Sequence, residues 1–163
     1  MNTQEYFSIA FYNVENLFDA EHTDFTLDED FTPEGKLEWN SERYQLKLDR
    51  IAKVIAGIGA EEGANPPVFM GLAEVENDKV LLDLINQKEL SEYNYDFVHY
   101  ESPDERGVDV AFLYRKDFFE LIAFYSGPSD DSELHKRISL AFDKFIDIRF
   151  HGDKEVADLS RDM

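Results

Sequence analysis

The chain contains no cysteine. That excludes a disulfide framework, thiolate zinc ligation and a cysteine nucleophile, and it fits a reducing compartment. Basic residues are scarce: 16 Lys and Arg stand against 36 Asp and Glu, a net charge of −20. Proteins that grip nucleic acid through many phosphates are ordinarily basic, so tight duplex binding is disfavoured, and most of the acidic residues serve solubility. No apolar run is long enough to span a bilayer. Met1-Asn2-Thr3-Gln4-Glu5 is not a basic stretch leading into an apolar one, so no signal peptide opens this sequence and the expected location is the cytoplasm. Gly-rich phosphate loops, dinucleotide fingerprints, internal repeats and low-complexity segments are also missing. The four histidines, His22, His99, His135 and His151, show no metal-ligand spacing, and His99 reads as an ordinary strand residue.

What is present is a globular composition. The 163 residues are 43% hydrophobic and include 14 Phe, enough for one domain with a sizeable core. The patterning predicts a strand over 6–12, an irregular acidic stretch over 19–38, a helix over 41–58 and a strand over 68–73. A helix over 78–90 and strands over 95–100, 108–114 and 118–125 follow. Tyr44, Leu48, Ile51, Ile55 and Ile58 recur at helical spacing, with Asn40 or Ser41 as the start cap and Gly57 and Gly59 at the stop. Asn77 or Asp78 caps the second helix, and Pro66-Pro67 forces an extended entry to the second strand. The acids Asp24, Asp28, Glu29 and Asp30 fail the EF-hand pattern and read as a solvated loop. After Gly127-Pro128 the pattern changes: Leu134, Ile138, Ala141, Phe142 and Phe145 predict a helix over about 130–146, and 145–150 a short strand. We therefore place a boundary between 1–126 and an atypical helical tail, 127–163.

A β-α-β-α-β order implies right-handed crossovers and three parallel strands. Their C-terminal ends then share one rim, where α/β sheets hold ligands. Two of those ends carry unusual chemistry. One reads Phe11-Tyr12-Asn13-Val14-Glu15-Asn16-Leu17-Phe18-Asp19, the other Gly71-Leu72-Ala73-Glu74-Val75-Glu76-Asn77. Each apolar run stops at an amide or a carboxylate where turn residues are usual. Glu74 suits Mg²⁺ or Mn²⁺, which take oxygen ligands, or it complements the dipole of the following helix. Asn13 reads either as a donor to phosphate or water, or as a turn amide. Glu15 and Glu76 support the rim or are plain surface acids. Arg106, in the loop after the third strand, has the planar fork that clamps phosphate. Asp109, at the start of the next strand, is an orienting group or a solvated acid.

With Arg106-Gly107-Val108-Asp109-Val110-Ala111-Phe112-Leu113-Tyr114-Arg115 as a third motif, the chain resembles the endonuclease/exonuclease/phosphatase superfamily over roughly 5–125. That group includes deoxyribonucleases, apurinic endonucleases, sphingomyelinases and inositol polyphosphate phosphatases. The resemblance implies a four-layer α-β-β-α sandwich and divalent-metal-dependent hydrolysis of a phosphoester, in nucleic acid or a phospho-head group. It implies Glu74 as metal ligand with Mg²⁺ or Mn²⁺, Asn13 as a contact to phosphate or water, and catalytic parts for Arg106 and Asp109. Such proteins are longer, and their second half carries Asn-His, Gly-Asp-Phe-Asn and Ser-Asp-His motifs. None of these follows Gly127. The expectation is the first half of the fold with impaired hydrolysis, or a non-catalytic module that self-associates through its exposed sheet face.

Overall fold

A computed structural model describes residues 7–20, 29–33, 35–100, 106–126 and 144–150. The chain divides into two compact units, Met1–Arg115 and Lys116–Met163.

The first unit is α/β. Strand β1 (Ile9–Leu17) leads through a 3₁₀ turn (Glu29–Phe31) to helix α1 (Ser41–Gly57). A second 3₁₀ turn (Ala60–Glu62) precedes β2 (Phe69–Val75), and α2 (Asp78–Ile85), β3 (Tyr95–Tyr100) and β4 (Asp109–Arg115) follow. Asn40 caps α1, its side-chain oxygen accepting from the Glu42 and Arg43 amides at 3.1 Å each, which satisfies two of the helix's orphan donors. Asn77 caps α2 in the same way through the Val80 amide at 3.0 Å. Helix α2 stops at Ile85, short of the expected residue 90: Asn86 takes the C-cap position and its side chain donates to the Leu82 carbonyl at 2.9 Å. The apolar pattern beyond it is real, since Leu90 is fully buried, but it is carried by turns.

The sheet order is β1-β2-β4-β3. β1 and β2 are parallel, while β4 runs antiparallel to both β2 and β3. The first three strands thus share a direction as expected, but they are not three neighbours: β4 separates β2 from β3, and the sheet is mixed. Both helices contribute to one core. Leu48, Ile51 and Ile55 of α1 and Leu81 and Leu84 of α2 join Met70, Leu72 and Leu113 of the sheet, nearly all with no exposure. On β1 the core residues are Ala10, Tyr12, Val14 and Leu17, while Ile9 and Phe11 remain 73% and 71% exposed.

In the second unit, β5 (Phe119–Ser126) pairs antiparallel with β6 (Lys144–Phe150). Residues 144–146 are therefore strand, which corrects the end of the helix expected over 130–146; the rest of that segment lies outside the described residues. No helix among the described residues is long and apolar enough to cross a membrane.

Candidate functional site

The two strand ends are not where the apolar runs stop. Both strands continue through Asn13 and Glu74, and both become irregular there. Between Asn13↔Ala73 and Leu17↔Val75, β1 advances four residues while β2 advances two. Between Ala73↔Val110 and Val75↔Asp109, β2 advances two residues while β4 advances one. Glu74 is thus the extra residue of a β-bulge, a device that re-aims a side chain. The core shows why. Met70 and Leu72 are buried, and plain alternation would bury residue 74 next; Val75 takes that place instead, with 0% exposure. On β1 the buried series likewise passes from Val14 to Leu17. These adjustments keep a carboxylate and an amide out of the core at the cost of left-handed backbone at Glu15, Asn16 and Glu74, with φ of 57°, 60° and 66°. Such strain on non-glycine residues gathers at functional sites.

The rim is knitted across the two strands. Glu74 Oε2 accepts from the Asn16 amide at 3.1 Å. Asn13 Oδ1 accepts from the Glu15 amide at 2.7 Å, which is the turn-amide role. Lys47 of α1 donates to the Glu15 carbonyl and, at 2.9 Å, to that of Asn16. Burial lowers the pKa of Lys47, while the carboxylates of Glu15 and Glu74 pull it back up. Glu76 accepts from the Asp19 amide at 2.6 Å, and the buried Asp19 carboxylate accepts from Asn77 Nδ2 and Lys79 Nζ, each at 3.3 Å. Trp39 Nε1 donates to the Asp19 carbonyl at 2.8 Å and to that of Phe18 at 3.3 Å. The helix-dipole role considered for Glu74 falls to Asn77 and Asp78, which occupy the start of α2.

The other candidates are placed differently. Arg106 is exposed in the turn before β4. Asp109 pairs with Val75 beside the bulge, but its carboxylate is buried and meets His99 Nε2 at 3.0 Å. The other ring nitrogen, Nδ1, lies 2.8 Å from Asp78 Oδ1. Sequence reasoning passed over His99 because its partners come from another strand and from a helix start. The one available signal was its position on the strand that runs to the same rim.

Among the described residues no group of three or more His, Asp or Glu forms a ready metal cage. Among these residues the donor set at the rim is the Glu74 carboxylate, with one oxygen already bonded, beside the Asn13 side-chain amide. That fits a hydrated Mg²⁺ or Mn²⁺, which keeps several waters and shares its coordination with substrate phosphate.

A family model for the endonuclease/exonuclease/phosphatase family matches residues 8–144. No curated protein gives a significant match. Three solved structures are similar at low identity. An endonuclease/exonuclease/phosphatase from Bacteroides vulgatus is 19% identical, with 71% of this chain and 33% of that chain covered and a TM-score of 0.39. A family protein from Bacteroides thetaiotaomicron is 17% identical, with coverages of 72% and 34% and a TM-score of 0.36. A mannosyl-6-phosphatase from Bacteroides thetaiotaomicron VPI-5482 is 16% identical, with coverages of 74% and 35% and a TM-score of 0.37. The matched region spans about a third of the length of each of these proteins.

Proposed function

Because the chain belongs to the endonuclease/exonuclease/phosphatase family, whose model matches residues 8–144, we propose that it is built for divalent-metal-dependent hydrolysis of a phosphoester, with Glu74 as the metal-holding carboxylate. The observation that carries this reading is the bulge at Glu74. A carboxylate is held in left-handed backbone, tied to Asn16 and set beside Asn13, where an ordinary strand would have buried an apolar side chain. Glu74 would hold Mg²⁺ or Mn²⁺ through its second oxygen. The ion supplies charge neutralisation on the phosphoryl oxygens. Asn13 would donate its NH₂ to a phosphate oxygen and so fix the orientation of the ester. Lys47, held against the Glu15 and Asn16 carbonyls, keeps the turn that presents both groups in place and adds a positive charge near the phosphate. Arg106 would approach from the turn before β4 as a phosphate clamp. Asp109 contributes through His99.

In the net reaction, water adds to phosphorus and the ester P–O bond breaks. The proton taken from water passes to the leaving alcohol, so a group must accept it and hand it on. None of the residues assigned above takes that proton, so the expected rate is low. A second reading is a non-catalytic module that self-associates through the sheet face on which Ile9 and Phe11 stand largely exposed. Substrate class stays open between nucleic acid and a phospho-head group, with the charge of −20 favouring small or locally held esters.

The test is hydrolysis of bis(4-nitrophenyl) phosphate and relaxation of supercoiled plasmid with Mg²⁺ or Mn²⁺. We expect slow turnover that chelation and Glu74→Ala both abolish. Turnover that survives Glu74→Ala removes the role given to Glu74, and no metal-induced stabilisation with no turnover at all removes the enzymatic reading and leaves the binding module.

A further inference from the structure

We propose that His99 is a positioning residue that clamps the turn presenting Glu74, joining the strand on one side of that turn to the helix on the other. The consequence for metal binding rests on the reading of Glu74 given above; the clamp itself is a matter of geometry. On β3, Tyr95 lies in the core and Phe97 packs against it, and alternation puts His99 on that same helix-facing side. Its ring is then wedged between the first residue of α2 and the first residue of β4, with Asp78 Oδ1 at 2.8 Å and Asp109 Oδ2 at 3.0 Å. Asp109 is the register partner of Val75, the residue after Glu74. Asp78 begins the helix three residues after Val75. The ring therefore spans the strand–turn–helix connection that starts at the bulge.

Ionised carboxylates only accept hydrogen bonds, and the ring donates to one of them as a neutral imidazole and to both when it is protonated. The two bonds are then charge-assisted and fix the ring in one orientation. The His99 and Asp109 side chains are 9% and 8% exposed, so solvent screens that pair little. The Asp78 side chain is 74% exposed, so that end is the weaker.

The clamp has something to hold. Left-handed backbone at a glutamate persists only where its surroundings over-determine it. Val75 in the core secures the bulge from beneath. On the β1 side, the stretch from Val75 to Asp78 is tied by the Glu76 amide, which donates to the Leu17 carbonyl at 3.1 Å, and by Asn77, which donates to the Asp19 carboxylate at 3.3 Å. On the other side, His99 adds the tie to β4, holding Asp78 at the start of α2 to Asp109.

The Asn16 amide reports the position of Glu74 directly, since it donates to Glu74 Oε2 from another strand. Amide exchange by NMR and Mn²⁺ titration of the full chain test the proposal in His99→Phe and, where folding is a concern, in the exposed-end variant Asp78→Asn. In His99→Phe the Asn16 amide is expected to exchange at least about tenfold faster and Mn²⁺ affinity to fall by about 10–100-fold, the usual effect of losing a group that orients a ligand. The Met70 and Leu113 amides, deep in the sheet, should stay within about twofold of wild type. Asp78→Asn should shift both readouts the same way but less, and His99→Gln, which keeps one donor, should recover part of the loss. Unchanged Asn16 exchange in both His99→Phe and Asp78→Asn overturns the proposal, as does uniform acceleration of all three amides, which is the mark of a merely structural histidine. If wild type binds no Mn²⁺, the proposed function fails while the Asn16 amide still decides the clamp.

Discussion

Two asparagines make the same local statement with different reach. Asn40 caps α1 and makes one local, exposed bond to the Glu38 carbonyl at 3.2 Å, so Asn40→Ala should cost about 1 kcal/mol, the usual value of a lost cap. Asn77 caps α2 and also donates to the buried Asp19 carboxylate. Its loss leaves a buried charge with one donor fewer, and Asn77→Ala should cost about 2 kcal/mol, read as a larger drop in the urea midpoint. Glu74 offers a sharper comparison. Alanine and glycine both delete its bond to Asn16, but only glycine relieves a φ of 66°. Glu74→Gly should therefore be more stable than Glu74→Ala by about 1 kcal/mol, with metal-dependent turnover absent from both. Equal stabilities would mean that the left-handed turn carries no strain.

Elements here owe their form to what lies across the sheet. β2 carries Gly71 where a Cβ would come within 2.7 Å of the Phe11 ring on β1. That ring is largely exposed and can swing aside, so Gly71→Ala should cost less than about 1 kcal/mol. In a Phe11→Ala background the cost should vanish or reverse, since a strand interior prefers alanine to glycine. A double-mutant cycle on denaturation midpoints measures this. Leu72, one residue further on, has no such freedom: it is fully buried between α1, α2 and its neighbours. Leu72→Ala should cost about 2–5 kcal/mol through the cavity it leaves.

For the whole molecule, charge and buried phenols set the response to conditions. A net charge of −20 makes the compact state repel itself, so the thermal midpoint should rise between about 0.02 and 0.3 M NaCl as the Debye length shrinks. Burial raises the phenol pKa of Tyr44 and Tyr95 far above 10.0, with the Asp83 carboxylate adding to the effect at Tyr44. Burial also raises Tyr100 and Tyr114. Folding thus favours the protonated phenol. That stability is complete below pH 10, where the unfolded chain is protonated too, and it is lost progressively as pH climbs from 10 toward the folded values. Each such tyrosine contributes a slope of up to about 1.4 kcal/mol per pH unit in that window. Lys47 acts with the opposite sign. Its folded pKa lies below 10.5, so the unfolded chain binds more protons between the two values and stability rises with pH there. The net expectation is a steep loss of stability above pH 10 in urea titrations, shallower in Tyr44→Phe. A curve flat to pH 11 would contradict the buried placement of these rings.

The amino-acid sequence by itself determined where α1 and α2 start and the apolar positions of the α/β core, because periodicity, capping and turn chemistry act over a few neighbouring residues. Asn40, Asn77, Tyr44, Leu48, Ile51 and Ile55 all stand where that local logic puts them. It also brought Asn13 and Glu74 to one end of two parallel strands. Only the tertiary structure decided how they get there. The insertion of β4 between β2 and β3, the bulges that exchange Glu74 for Val75, and the seat of His99 between Asp78 and Asp109 all depend on register between distant segments. Asn16 and Glu74 are 58 residues apart in the chain, and no short-range pattern encodes which of them meets the other. The apolar run that marked each strand end was legible because it is local; the strained turns that make those ends a site arise where local alternation yields to the demand that Leu17 and Val75, not Asn16 and Glu74, fill the core.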